Sequence, residues 1–81
     1  MRIIKYYAKW CGPCNRIENV LSSVDSRHEI TRIDVDEDKV SADKAGVKWL
    51  PTVDVYDGES LVKRFDDEFT LDEINTVLQD K

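Results

Sequence analysis

The stretch Ile3-Ile4-Lys5-Tyr6-Tyr7-Ala8-Lys9-Trp10-Cys11-Gly12-Pro13-Cys14-Asn15-Arg16-Ile17 decides the fold. Its first part is apolar, β-branched and aromatic and reads as a strand. From Cys14 onward the apolar residues Ile17, Val20, Leu21 and Val24 recur at helical spacing. Two cysteines separated by two residues therefore stand at a strand-to-helix junction, the arrangement of a redox pair. The chemistry implied is thiol-disulfide exchange through a Cys11–Cys14 disulfide.

The helix explains why the cysteines stand there. Its first turn has backbone N–H groups without intrahelical partners and the positive end of the macrodipole, so a thiolate is favoured over a thiol. Cysteines so placed titrate below the free value of about 8.5. Pro13 suits a first turn, where its missing N–H costs nothing and its φ is preset. Gly12 leaves the backbone open to an approaching substrate. Cys14 falls on the sheet-facing stripe with Ile17 and Leu21, whereas Cys11 lies at an exposed loop tip before the helix is established. Cys11 is expected to be the nucleophile and Cys14 the resolving thiol.

The chain of 81 residues allows one domain, 1–81, with a single modest core. With 41% hydrophobic and 36% charged residues it reads as globular and soluble rather than disordered. Twelve Lys and Arg against seventeen Asp and Glu give a net charge of -5, which argues against a general nucleic-acid binder. No segment approaches the roughly 20 apolar residues of a membrane span, and a strand begins directly after Met1 without a signal-peptide pattern. A cytoplasmic protein without a membrane partner is expected. Both cysteines belong to one motif, so no secreted disulfide framework is proposed.

Seven elements follow from the hydrophobic pattern, without linkers or repeats. A strand over Arg2 to Ala8 leads to a helix over Pro13 to Val24, and Ser26-Arg27-His28 is a surface turn. Ile30 to Val35 reads as a second strand, and the acidic run Asp34 to Asp38 leads to a short helix over Val40 to Ala45 with Gly46 as its left-handed cap. Trp49-Leu50-Pro51 is an extended loop. Strands over Thr52 to Tyr56 and Glu59 to Phe65 flank the hairpin signal Asp57-Gly58. Thr70 and Glu73 form a capping box for a last helix whose apolar face is Leu71, Ile74, Val77 and Leu78. The order βαβαββα and a right-handed crossover predict an α/β fold with a four-stranded mixed sheet, order 2-1-3-4, and helices on both faces.

Tyr6-Tyr7-Ala8-Lys9-Trp10-Cys11-Gly12-Pro13-Cys14 resembles the active-site segment of the thioredoxin family. So do Asp34-Val35-Asp36, Ala45-Gly46-Val47 and Leu50-Pro51-Thr52, the family's route to its cis-proline loop. The resemblance implies a thioredoxin-like fold, a cis Leu50–Pro51 bond beside the cysteines, and pairing of an extended substrate segment with the backbone at Leu50. It also implies protein disulfide substrates, a thioredoxin-reductase-type electron donor and no bound cofactor beyond the disulfide itself. Four departures stand out. The residues correspond to the compact core that glutaredoxins use, without the first strand and helix of full thioredoxins. Lys5 stands where thioredoxins carry a buried aspartate near the resolving cysteine. Trp49 takes a position usually given to a small residue. Phe65-Asp66-Asp67 resembles part of the glutathione-binding motif of glutaredoxins, with Lys63-Arg64 in place of its two glycines.

Bland readings stand beside these. The cysteines as half of a zinc site would need four ligands, and His28, read as a solvated turn residue, is the one N/S candidate left. Asp34 to Asp38 reads as a solvated strand end, and Asp66-Asp67 either as charge near the last helix or as a glutathione contact. Trp10 is read as a recognition residue rather than core, and Trp49 as either a docking residue or a cover for the sheet rim. Lys5 either places a cation beneath Cys14, tuning its redox chemistry, or pairs with a carboxylate such as Asp54. The sequence thus reads as a monomeric dithiol-disulfide oxidoreductase reducing protein disulfides. The alternatives are a glutathione-dependent, glutaredoxin-like enzyme and a binding subunit on the same fold.

Overall fold

The computed structural model describes residues 1–79; residues 80 and 81, the end of the expected domain, lie outside the described residues. The chain runs β1 (Arg2–Tyr7), α1 (Gly12–Leu21), β2 (Glu29–Asp34), α2 (Lys39–Ala45), β3 (Thr52–Asp57), β4 (Ser60–Phe65) and α3 (Leu71–Gln79). The sheet order is β2-β1-β3-β4, with β1 parallel to β2 and antiparallel to β3, and β3 antiparallel to β4. This is the mixed 2-1-3-4 sheet that the pattern and crossover rule predict.

Alternation along the strands sorts the two faces. Ile3, Val53 and Val55 pack with Ile17 and Leu21 of α1 and Ile74 and Leu78 of α3 in the main core. The opposite face carries Asp54, and the Arg64 side chain that binds it also reaches the Ala45 carbonyl at the end of α2. Helices α1 and α3 thus cover one face, and α2 lies against the other.

Local signals place the ends. The Glu73 carboxylate accepts from the Thr70 N–H at 2.9 Å and the Thr70 hydroxyl from the Glu73 N–H at 3.1 Å, completing the capping box. Gly46 ends α2 at φ 72°, where a side chain would be strained. Helix α1 stops at Leu21, earlier than expected. The N–H groups of Ser23 and Val24 donate to the carbonyls of Val20 and Leu21, so the chain tightens into turns, and Val24 keeps its place in the core. The hairpin loop is Gly58-Glu59, one residue later than the Asp57-Gly58 signal suggests, because Asp57 still pairs with Ser60.

Candidate active site

β1 ends at Tyr7, and the Cys11 N–H donates to the Ala8 carbonyl at 3.1 Å, turning the chain back toward the sheet. Cys11 is the N-cap of α1, with φ -88° and ψ 107°. Its Sγ accepts from the Cys14 N–H at 3.2 Å and is joined to the Cys14 Sγ in a disulfide. One of the orphan amide donors of the helix therefore points at the sulfur that would become a thiolate on reduction. With the helix dipole behind it, this geometry stabilises negative charge on Cys11.

Sequence reading places Cys11 at an exposed tip; the structure does not. Cys11 is only 4% exposed and Cys14 1%, because Ala8, Tyr7, Val35 and Leu50 close around both sulfurs. Cys11 is the slightly less covered of the two, and the capping bond goes to its sulfur. Limiting alkylation of the reduced protein at neutral pH is expected to label Cys11 before Cys14; peptide mass spectrometry reads the order, and Cys14 labelled first would reverse the roles. Gly12 is exposed, and a Cβ there would meet nothing within 4 Å, so the loop presents bare backbone to solvent. Pro13 lies in the first turn of α1.

The Leu50–Pro51 peptide is cis, with Pro51 buried and Leu50 packed against the cysteines. The Thr52 hydroxyl donates to the Trp49 carbonyl at 2.6 Å, fixing the loop that carries both. Trp10 is 72% exposed and Trp49 66%, so both belong to the surface. They flank a groove of about 450 Å³ whose lining includes Val35, Asp36 and Leu50. Trp49 and Leu50 also border a second hollow of about 340 Å³ with Asp66 and Asp67, so the acidic pair lies on the cysteine side of the molecule. A larger hollow of about 740 Å³, at the far end of β1, is lined by Met1, Asp25 and His28 among others and lies away from the sulfurs. His28 itself is half-buried, its Nδ1 lying 3.3 Å from the terminal amine, and is not the solvated residue expected.

Sequence reasoning missed one bond at this rim. The Trp10 Nε1–H donates to Asp36 Oδ2 at 2.9 Å. The parallel register sets Tyr7 beside Asp34, so the two following loops emerge side by side, and this was the available signal. The acidic run is a solvated strand end as expected at Asp36, Glu37 and Asp38, which are exposed, but not at its first residue. Asp34 is buried and accepts from the Asp36 N–H at 2.9 Å, while Asp38 caps α2 through the Ser41 N–H at 3.1 Å.

Lys5 is 4% exposed, and its partner is not Asp54. Its Nζ donates to Glu18 Oε1 at 3.0 Å and lies 5.2 Å from the centroid of the Tyr7 ring. The same Glu18 carboxylate takes Arg32 Nε at 2.9 Å and Nη2 at 2.6 Å. These bonds, Arg32's before Lys5's, hold the Glu18 carboxyl down to about 2 from an ordinary 4.5, against the opposing effect of burial. A depressed carboxyl pKa stabilises the fold above the ordinary value, and that contribution is lost as pH falls through the folded value. Glu18 is therefore an anion wherever a thiol couple operates.

The thioredoxin family profile matches residues 1–80. Over 59 residues the chain is 44% identical to a thioredoxin of Bacillus subtilis, a match covering 67% of this chain and 57% of that one. Over 68 residues it is 37% identical to a thioredoxin of Staphylococcus haemolyticus, covering 78% and 65% respectively. The matches thus span less than two thirds of these curated relatives' length. Among solved structures, a mutant thioredoxin from Halobacterium salinarum aligns with a TM-score of 0.90 at 26% identity, over 98% of this chain and 72% of that one. Thioredoxin 1 from Thermosipho africanus aligns at a TM-score of 0.81 and 25% identity, over 99% and 92%. A profile match along nearly the whole length decides the matter: the chain belongs to the thioredoxin family.

Proposed function

We propose that the protein is a dithiol-disulfide oxidoreductase that reduces protein disulfides. The observation that carries this is the Cys11–Cys14 disulfide at the N-terminus of α1, with Cys11 as N-cap and its sulfur held by the Cys14 N–H. In the reduced protein the Cys11 thiolate attacks one sulfur of a substrate disulfide, and the other substrate sulfur leaves as a thiolate that takes a proton from water. Cys14 then loses its proton and attacks the Cys11 sulfur of the mixed disulfide, releasing the second substrate thiol and re-forming Cys11–Cys14. Two electrons pass from the protein to the substrate per cycle, and the disulfide is the redox group.

Trp10, Trp49 and Leu50 form the docking surface in this reading, and the buried cis-Pro51 holds the loop beneath them. An exposed aromatic pair beside an extended loop offers apolar contact and main-chain pairing to an extended peptide. The substrate is a cystine-bearing protein segment, the enzyme works as a monomer, and a reducing compartment such as the cytoplasm suits the cycle. Lys5 tunes the couple: a cation near the cysteines favours thiolate, stabilises the reduced form and makes the couple more oxidising. Lys5→Met should lower the reduction potential measured against glutathione buffers; an unchanged or higher value would show that the charge is not felt at the sulfurs.

Electrons return from an external donor, and a thioredoxin-reductase-type flavoenzyme is the proposed one. A glutathione-driven cycle finds support in Asp66 and Asp67 beside Leu50. Against it, Lys63 and Arg64 are bulky where glutaredoxins have glycines. Arg64 is paired with the Asp54 carboxylate and bonded to the Ala45 carbonyl, so its charge is already largely compensated before a tripeptide carboxylate could approach. Insulin reduction followed with NADPH and thioredoxin reductase, and separately with glutathione and glutathione reductase, tests the proposal. Several-fold faster turnover with the former is expected. Efficient turnover by glutathione, lost on Asp67→Ala, would assign the glutaredoxin-like cycle, and no turnover with either would overturn the enzyme reading.

A further inference from the structure

The buried ammonium of Lys5 does not act alone. Glu18 lies one helical turn after Cys14, so its side chain leaves α1 on the same side as the resolving cysteine. It receives Lys5 from β1 and Arg32 from β2, two cations on one carboxylate. Lys5 faces the Tyr7 ring at 5.2 Å, the parallel register sets Arg32 beside Lys5 on the neighbouring strand, and Tyr7 packs into the cluster of Ala8, Cys11 and Cys14. The three charges are therefore collected behind the wall of the cysteine pocket. Their sum is one positive charge, and without the carboxylate it would be two.

We infer that Glu18 sets the reduction potential of the Cys11–Cys14 pair by cancelling one of the two positive charges, Lys5 and Arg32, that lie behind Tyr7. Reduction by an external dithiol cleaves the Cys11–Cys14 bond, oxidises that dithiol and leaves two thiols, of which Cys11 releases its proton to solvent as it becomes a thiolate. A positive charge nearby stabilises the thiolate and with it the reduced form, which raises the potential. Lys5 and Arg32 push the potential up. Glu18 holds it down, and because it bonds both, it is the residue through which their effect is regulated. The ion pair itself has a mechanical role too, tying α1 to both β1 and β2. Loosening that tie would be shared by every variant that breaks it, whereas the charge effect changes sign with the charge removed.

This inference rests on the redox reading of the cysteine pair but not on the identity of its substrate or donor. The test is equilibration of the full chain in glutathione redox buffers at neutral pH, with the oxidised fraction read by alkylation and mass spectrometry. Glu18→Gln keeps an amide oxygen for Lys5 and removes one negative charge. Its equilibrium constant is expected to shift about fivefold toward the reduced form, the effect of one charge a turn or two away at a protein surface, or about 20 mV more oxidising at 29.6 mV per tenfold. Arg32→Gln, which leaves the Lys5–Glu18 bond in place and removes a half-exposed cation, should shift it in the opposite direction. Glu18→Ala, which removes the same negative charge, takes the place of Glu18→Gln if that variant does not fold. Equal potentials in all three proteins, or shifts of the same sign in both variants, would overturn the role of Glu18. A chain whose cysteines do not equilibrate with glutathione at all would instead overturn the redox reading, and insulin reduction by the wild type decides that separately.

Discussion

Cys14→Ser should turn a catalyst into a trap. Insulin reduction is expected to fall by more than about a hundredfold, because the second step loses an intramolecular attacker. A thiol held in position by its own helix acts at effective concentrations far above any free thiol, and that advantage is worth several orders of magnitude for well-oriented groups. Cys14 is such a thiol, with its sulfur already within bonding reach of Cys11 and fixed on the sheet-facing side of α1. With serine there, the Cys11 thiolate still forms the mixed disulfide but nothing resolves it, so the adduct accumulates and is seen as a covalent complex on a non-reducing gel. Cys11→Ser should lose turnover equally and yet trap nothing. A complex formed by Cys11→Ser in place of Cys14→Ser would exchange the two roles, and near-normal turnover in either variant would remove the pair from the chemistry.

Much of this site is legible in the sequence because it is built from short-range signals. The period-2 run into Cys11, the helical spacing from Cys14 to Leu21, Pro13 in the first turn and the Thr70–Glu73 box are each decided within a few residues. The crossover rule then leaves little freedom for the order of β1 and β2. What the sequence withholds are side-chain partners chosen by register and packing. Glu18 carries no local signal of its partners, and only the seating of α1 across β1 and β2 brings it to Lys5 and Arg32. The burial of Cys11 is likewise tertiary, since Leu50 and Val35 arrive from loops far along the chain.

The pairing of Asp54 is the sharpest case of this, and it holds a fully buried carboxylate in the fold. Counting back from the Asp57–Ser60 and Tyr56–Leu61 pairs, a regular hairpin would set Asp54 opposite Lys63. A bulge between Val55 and Tyr56 moves the register by one and sets it opposite Arg64 instead. The planar guanidinium donates to both carboxylate oxygens, at 2.7 and 2.8 Å, and to the Ala45 carbonyl at 2.7 Å. Asp54 has no exposed surface, so this bidentate pair is what makes its charge tolerable; burial, ahead of that same carboxylate, also pushes the neighbouring Tyr6 hydroxyl above its usual pKa. Arg64→Met is expected to destabilise the fold by about 3–5 kcal/mol, the cost of leaving one partner of a buried pair, out of a total of about 5–15 kcal/mol for a domain. Urea unfolding measures it. The companion Arg64→Met/Asp54→Leu should recover most of the loss, since removing both charges leaves no uncompensated ion. The single variant should also lower disulfide-reductase activity under conditions where it is folded, because the lost bond to Ala45 frees the end of α2, from which the chain runs through Gly46 to Trp49, Leu50 and Pro51. A cost below about 1 kcal/mol, the range of a surface pair, would mean that the buried carboxylate finds another partner.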